Sequence, residues 1–202
     1  DIQLSNYAAD PLQVKKVLTL IANNVGGLFD LSSLCSNTGL TRPVADNRTN
    51  LLENTFIIHR LLPYFTNKIS ELIKNPKVYL SDTGLINALL RNFTIIPQTD
   101  VFGKLAENFV VSELRKNTLN YELLFWRSKQ KQEVDVVIRH QGAIVPMEIK
   151  SGNCVTVPLS LQSFIKRYRP EVAYVLNWSQ VGEATFESCK VVFRPLWFIV
   201  KV

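Results

Sequence analysis

The chain has 202 residues, of which 47% are hydrophobic and 20% are charged, which is typical of a folded globular protein and excludes a disordered one. Its formal net charge is +6 and its sequence pI is about 9.3, so polyanions are favoured partners. No apolar run approaches the ~20 residues of a membrane helix, and the start lacks the regions of a signal peptide. The three widely spaced cysteines (Cys35, Cys154 and Cys189) are typical of reduced thiols, so we expect a cytoplasmic protein.

Two absences bear on nucleotide binding. The chain begins with Asp1 rather than Met, which we expect of a fragment or a processed chain. Its eight glycines never complete the pattern GxxxxGK[ST], because Gln98 stands where a glycine would have to precede Gly103 and Lys104. We therefore expect no phosphate-binding P-loop in this chain.

Helical periodicity dominates up to residue 98, and we expect one domain over residues 1–98. The first predicted helix runs from Pro11 to near Gly26, the second is capped by Asp30 or Ser32 and stopped by Gly39, and the third is capped by Thr41. A strand Phe56–Ile58 and a partner strand Lys77–Ser81 are predicted next, with a polar segment Asn67–Asn75 between them. Three short helices followed by a two-stranded ribbon are typical of a winged helix.

The third predicted helix carries Arg42, Arg48 and Asn50 between its apolar positions. In a winged helix this element enters the major groove of DNA, which predicts that these three residues reach phosphates or bases. The alternative is that the module only packs domains together. The charge supports DNA contact weakly, because residues 1–98 hold nine basic and seven acidic side chains.

The second half, residues 99–202, opens with a predicted helix from Val101 to Lys116. Glu107 lies in line with Val110, Val111 and Leu114 at helical spacing. A carboxylate on an inward face is costly unless something pairs with it. Periodicity alone favours a partly exposed Glu107 at the edge of the apolar stripe.

Three β-rich runs follow, at Leu123–Trp126, Glu133–Ile138 and Ala143–Lys150. Gly142 suits a tight turn between the last two. A turn centred between Gln141 and Gly142 places Asp135 opposite Glu148, and Glu133 opposite Lys150, with all four side chains on one face.

Directly opposed carboxylates are destabilising, and a divalent cation between Asp135 and Glu148 removes that penalty. Lys150, on the same face, is suited to polarising a water or stabilising a phosphate. The alternative is a solvated Glu133–Lys150 ion pair beside a tolerated repulsion. The pattern favours a Mg²⁺ or Mn²⁺ site, with Glu133 as a ligand if the register slips.

The remaining elements are a helix Pro158–Arg169, whose basic end (Lys166, Arg167 and Arg169) we interpret as a solvated face, and a buried strand Val172–Leu176. We interpret the aromatic run Phe193, Trp197 and Phe198 as a terminal core strand rather than a base-stacking platform. The order of elements predicts a mixed sheet flanked by helices, in an α+β or α/β domain.

Glu133-Val134-Asp135, followed after twelve residues by Glu148-Ile149-Lys150, resembles the D…(D/E)xK signature of restriction-endonuclease-like phosphodiesterases. Other segments follow one another in order: Leu51–Ile58, Pro63–Asn67, Asn75–Leu85, Gly103–Val110 and Phe125-Trp126-Arg127. Together they resemble the C-terminal half of a prokaryotic AAA-type ATPase family. In that family an ATPase module is followed by a winged helix and a nuclease-like domain of unassigned function.

The resemblance implies that Asp135 and Glu148 hold a metal, that Lys150 acts on the water or the phosphate, and that Glu107 is a further ligand or a supporting acid. It also implies an ATPase module upstream of Asp1, with ATP entering only through that module and oligomers forming through it.

Two functions follow. One is a DNA-binding, divalent-metal-dependent nuclease, and the other is a catalytically silent nuclease-like module for DNA or protein interaction that supports the ATPase.

Overall fold

A computed structural model of the chain describes residues 10–65, 75–94, 99–116 and 121–198. The helices found there are α1 (Pro11–Asn23), α2 (Leu31–Thr38), α3 (Arg42–Asn54), α4 (Thr83–Leu90), α5 (Asp100–Arg115) and α6 (Leu159–Tyr168). The strands are β1 (Ile58–Pro63), β2 (Lys77–Leu80), β3 (Glu122–Arg127), β4 (Glu133–His140), β5 (Ala143–Ile149), β6 (Val172–Asn177), β7 (Gly182–Phe186) and β8 (Cys189–Pro195). The predicted α+β class with a mixed sheet is confirmed. None of these helices combines the length and the apolar character needed to cross a membrane.

The strands are hydrogen-bonded in the order β2-β1-β3-β4-β5-β6-β8-β7. The pairs β1–β3, β5–β6 and β6–β8 are parallel, while β3–β4, β4–β5 and β7–β8 are antiparallel. Because β5, β6 and β8 run in the same direction, their C-terminal ends meet at one edge of the sheet.

The described residues divide into two compact units. The first contains residues 10–60 and 75–94, and the second contains residues 61–65, 99–116 and 121–198. The predicted boundary between residues 98 and 99 stays a prediction, since residues 95–98 lie outside the described part of the chain. The predicted polar segment Asn67–Asn75 also falls almost wholly outside it.

Local capping explains the helices of the first unit. The carboxylate of Asp30, rather than the hydroxyl of Ser32, caps α2, because it accepts hydrogen bonds from the N–H groups of Ser32 and Ser33 at 3.2 and 3.0 Å. Gly39 ends α2 in the left-handed conformation at φ 71°, as predicted. Thr41 occupies the N-cap position of α3 without a side-chain hydrogen bond.

One prediction for the first unit is corrected and one helix is added. The strand predicted at Phe56–Ile58 is correct only at Ile58, where β1 begins, because Phe56 has a φ of 59° and a 75% exposed side chain. Helix α4 was not predicted, although Asp82 caps it through a 2.8 Å hydrogen bond from the N–H of Leu85. The partner strand predicted at Lys77–Ser81 is found one residue shorter.

Aromatic rings hold α6 against the sheet in the second unit. Phe164 of α6 lies 5.5 Å from Trp126 of β3 and 5.9 Å from Tyr64, between ring centroids. The indole N–H of Trp126 donates to the hydroxyl of Tyr168 at 3.2 Å. The core of this unit therefore lies between α6 and the strands β3, β4, β6 and β8.

The predicted terminal core strand is correct only in part. Phe193 lies in β8 and is 4% exposed, as expected of a core residue. Trp197 and Phe198 follow the end of the strand and are 64% and 42% exposed. Strand β7, which pairs with β8 through a short turn, was not predicted.

Candidate functional site

The β4–β5 hairpin positions the predicted acidic pair. Its turn residues Gln141 and Gly142 have φ values of 47° and 86°, in the left-handed region typical of a two-residue hairpin turn. The strands pair from His140↔Ala143 through Val136↔Met147, which is the predicted register. The same register, continued by one position past Val136 and Met147, sets Asp135 against Glu148.

The side chain of Asp135 bonds to the facing strand. Its Oδ2 accepts a hydrogen bond of 2.7 Å from the backbone N–H of Ile149. Asp135 is partly buried, and Glu148 is 4% exposed. The two carboxylates predicted to act together therefore do lie at the same end of the hairpin, one on each strand.

Glu148 is held by two donors on a single oxygen. The ammonium of Lys150 lies 2.8 Å from Oε1 of Glu148, and the hydroxyl of Ser160 donates to the same oxygen at 3.1 Å. Ser160 belongs to the first turn of α6, so helix and strand converge on this carboxylate. Sequence patterns did not indicate Ser160, because only the packing of α6 on β5 brings it here.

Lys150 is the cation of the site. Burial lowers its pKa, but the neighbouring carboxylates of Glu148 and Asp135 and the hydrogen bond to Glu148 raise it, and the net pKa lies above the ordinary value of 10.5. Lys150 is therefore charged at neutral pH. Its side chain remains 41% exposed, so the ammonium is accessible to a ligand.

Glu107 lies on α5, one helical turn after Gly103. A Cβ added to Gly103 would lie 3.8 Å from the hydroxyl of Ser151, so this face of α5 packs beside the end of β5. Glu107 is four residues later on the helix and so on the same face, where it is partly buried. Within the described residues, no three His, Cys, Asp or Glu side chains form a group able to hold a metal ion. Glu107 therefore does not complete such a group with Asp135 and Glu148.

Glu133 has a partner on the other side of β4. It pairs with Arg127 of β3, with 3.5 Å between the charged atoms. Lys150 contacts Glu148. The alternative of a Glu133–Lys150 ion pair stays a prediction.

The three residues predicted to contact DNA all lie on α3 and differ in their exposure and hydrogen bonds. Arg42 is exposed in the first turn of α3. Arg48 is partly buried and donates to the side chain of Gln13 on α1 at 3.4 Å. Asn50 accepts a 2.8 Å hydrogen bond from Arg60. Of the three, Arg42 is the side chain most available to a ligand.

The geometry thus defines an α+β chain whose second unit carries two carboxylates and a lysine at the end of one hairpin. Two family models match the sequence. Residues 1–95 match a domain of unknown function, DUF8612, and residues 102–196 match another domain of unknown function, DUF4143. The second is a domain often found C-terminal to AAA ATPases.

Two relatives illustrate the similarity. The chain is 25% identical over 152 residues to an uncharacterized protein of Mycobacterium tuberculosis, Rv2008c, and to its counterpart Mb2031c of Mycobacterium bovis. Each match covers 74% of this chain and 34% of the relative, so the chain spans about a third of the relatives' length. No solved structure matches the chain.

Proposed function

We propose that the second unit is a restriction-endonuclease-like domain that hydrolyses phosphodiester bonds with a divalent cation. The observation that carries the proposal is the opposition of Asp135 and Glu148 beside the charged Lys150. Asp135 and Glu148 are carboxylates and Lys150 is an ammonium, so a cation bound between the two carboxylates lowers the repulsion between them.

The donor set fits Mg²⁺ or Mn²⁺. Either ion is commonly held by one or two carboxylates, with water and substrate phosphate as its other ligands. Asp135 and Glu148 would hold the ion, and Glu107 of α5 would serve as a supporting acid. A bound ion supplies Lewis-acid stabilisation of a phosphate oxygen. Lys150 would offset the charge that develops on the phosphate.

The chain's context extends the proposal. We place this chain downstream of an AAA-type ATPase module in a cytoplasmic, DNA-acting protein, with ATP and oligomerisation entering through that module. The support is the match of residues 102–196 to a domain often found after such ATPases. The first unit would serve as a winged helix, with Arg42 as its main DNA contact and Arg48 and Asn50 as supporting residues.

A cleavage assay with a matched pair of variants tests catalysis. Asp135→Asn removes the charge while keeping an oxygen to accept the hydrogen bond from Ile149. The control is Glu122→Gln, which alters a 55% exposed carboxylate of β3 that pairs with Arg139. Wild type and Glu122→Gln should cleave single- or double-stranded DNA or RNA with Mg²⁺ or Mn²⁺, and Asp135→Asn should be at least 100-fold slower, as is usual when transition-state stabilisation is lost. Equal rates for all three proteins, or no cleavage by wild type, would exclude catalysis.

The second candidate is a silent module for DNA or protein interaction. It is favoured by the internal partners of the two carboxylates, since Glu148 is bound by Lys150 and Ser160, and Asp135 by the Ile149 N–H. Titration calorimetry with Mn²⁺ separates the two candidates. Heat that is present for wild type and lost in Asp135→Asn supports the metal site, and absence of heat for both supports the silent module.

A further inference from the structure

The C-terminal ends of three parallel strands are joined at one edge of the second unit. The N–H of Trp178, directly after β6, donates to the carbonyl of Gly152, which follows β5, at 3.2 Å. The N–H of Leu196, directly after β8, donates to the carbonyl of Asn177 at 2.7 Å. The backbone around Trp178 is thus fixed on both sides.

The loop that presents Trp178 is also fixed by a buried side chain. Asn177 is 0% exposed, and its Oδ1 accepts hydrogen bonds from the N–H groups of Ser179 and Gln180 at 3.2 and 2.7 Å. Its Nδ2 donates to the carbonyl of Gln180 at 3.1 Å. Since Asn177 satisfies the loop from within, the position of Trp178 is set before any ligand binds.

The side chains at this edge are aromatic and exposed. The indole of Trp178 is 42% exposed and lies edge to face with Phe102 of α5, with 5.4 Å between ring centroids. Trp197 and Phe198 extend beyond β8 and are 64% and 42% exposed. We call these four residues the aromatic edge. Exposed clusters of large apolar side chains are typical of binding surfaces.

Cations accompany the rings. The guanidinium carbon of Arg194 lies 5.6 Å from the ring centroid of Phe198, within the range of a cation–π contact. Lys150 directly follows β5, whose neighbour in the sheet is β6, and its ammonium contacts Glu148. Rings interleaved with positive charges are what an unpaired nucleic-acid strand requires, because its bases stack and its phosphates are anionic.

The aromatic edge lies close to the acidic pair. Glu148 is paired with Val175 across β5 and β6, and Trp178 follows Val175 by three residues in the chain, directly after the end of β6. Three residues of chain span at most ~10 Å, so the backbone of Trp178 lies within about that distance of Val175, the neighbour of Glu148 in the sheet. A nucleic-acid strand with a base on Trp178 would therefore need only a short stretch of its backbone to reach the acidic pair.

We propose that the aromatic edge binds the bases of a single-stranded nucleic acid and delivers the strand to Asp135 and Glu148. This inference rests on the proposed function and names its substrate class. Paired bases in a duplex hide their faces from side chains, whereas unpaired bases expose them. The mixture of rings with Arg194 and Lys150 favours a nucleic-acid strand over an apolar protein partner.

The test compares four proteins on three labelled probes, with EDTA present to prevent cleavage and at one fixed salt concentration. The proteins are wild type, Trp178→Ala, Trp178→Phe and the control Phe93→Ala, which removes a 71% exposed ring from the first unit. The probes are a single-stranded oligonucleotide, the duplex of the same sequence and an abasic strand of the same length. Fluorescence anisotropy gives each dissociation constant.

We expect wild type to bind the single strand at least 5-fold more tightly than the abasic strand or the duplex. Trp178→Ala should lose about 5-fold or more on the single strand alone, which is the usual contribution of one stacked base. Trp178→Phe should retain most of the affinity, and Phe93→Ala should bind as wild type does. Equal affinity of wild type for all probes, an equal loss on every probe, or no binding would overturn the inference.

Failure of the inference and failure of the proposed nuclease are distinguishable. Ring-dependent binding to the single strand without any cleavage would keep the aromatic edge and exclude the catalytic function. Cleavage that depends on Asp135 but is unchanged in Trp178→Ala would keep the nuclease and exclude the aromatic edge. Absence of binding to all three probes, by a protein that circular dichroism shows to be folded, would exclude nucleic acid as the ligand of the aromatic edge and favour a protein partner.

Discussion

Oδ2 of Asp135 accepts the backbone N–H of Ile149 at 2.7 Å, one position beyond the last paired residues of the β4–β5 ladder. The carboxylate thus supplies the acceptor that a strand carbonyl would otherwise provide. Asp135 has a structural role in addition to the proposed one in metal binding. The two roles are separable, because the first requires only an oxygen and the second requires a negative charge.

Substitution of Asp135 should show this separation. Asp135→Ala leaves the N–H of Ile149 without its acceptor, so we expect the free energy of unfolding to fall by about 1–3 kcal/mol. Asp135→Asn keeps an acceptor and removes the repulsion by Glu148, so we expect its free energy of unfolding to fall by less than about 1 kcal/mol. Urea denaturation measures both. An equal loss for the two variants would contradict a role for the hydrogen bond.

Lys150 should make stability sensitive to alkaline pH. Its folded-state pKa is raised above 10.5, so the folded protein binds this proton more tightly than the unfolded chain does. The stabilisation is fully present below pH 10.5 and is lost as the pH rises through the folded-state pKa. The measurement is the difference in unfolding free energy between wild type and Lys150→Met from about pH 8 to pH 11.

This difference should stay constant up to about pH 10 and then shrink. Taking it between two proteins cancels the titration of other lysines and tyrosines. A difference that grew with pH, or that did not change over the whole range, would show that Lys150 does not bind the carboxylates as the structure describes. Below pH 10 we expect Lys150→Met to be less stable than wild type by about 1–3 kcal/mol, because the variant removes the ammonium that contacts the buried carboxylate of Glu148. The loss is limited because solvent partly screens the charge of the exposed Lys150 side chain.

The three cysteines should differ in reactivity. Burial raises the pKa of the Cys189 thiol to about 11, and the side chain is fully enclosed at 0% exposure. Cys35 and Cys154 are partly exposed. A chromogenic disulfide reagent should therefore titrate two thiols in the native protein and three in urea. Rapid reaction of all three without denaturant would contradict the burial of Cys189.

Phe164 should be a large contributor to the stability of the second unit. It is 0% exposed and contacts the rings of Tyr64, Trp126 and Tyr168. We expect Phe164→Ala to lower the free energy of unfolding by about 3–5 kcal/mol, because it leaves a cavity in the core. Leu159→Ala on the same helix is the control, since Leu159 is 74% exposed and the change should stay within about 0.5 kcal/mol. Similar losses for both variants would contradict this packing.

Local patterns predicted the parts of the site that depend on neighbours in sequence. The turn at Gln141 and Gly142 and the alternation along β4 and β5 were sufficient to place Asp135 beside Glu148, because a two-residue hairpin turn sets the register. The partner of Glu133 was not predictable in this way. It lies on β3, where the register with β4 shifts between Leu124 and Trp126.

Contacts between distant segments were also missed. Ser160 reaches Glu148 only because α6 packs on the sheet, and Trp178 is placed by the parallel pairing of β6 with β5 and β8. Parallel pairing joins strands through long connections and leaves no short turn to mark it. Trp197 and Phe198 were assigned to the core because hydrophobic character alone does not show where a strand ends.

The tight turn of the β4–β5 hairpin also sets a rule for lengthening it. Side chains along a strand alternate between the two faces of the sheet. One inserted residue that shifts the register by one position would therefore turn Glu148 to the opposite face from Asp135, whereas two inserted residues would keep both side chains on the same face. Gln141 and Gly142 are exposed and stand at the far end of the hairpin from the acidic pair. Tags or probes of even added length are therefore compatible with an intact site, and the parity of an insertion becomes a design variable for this protein.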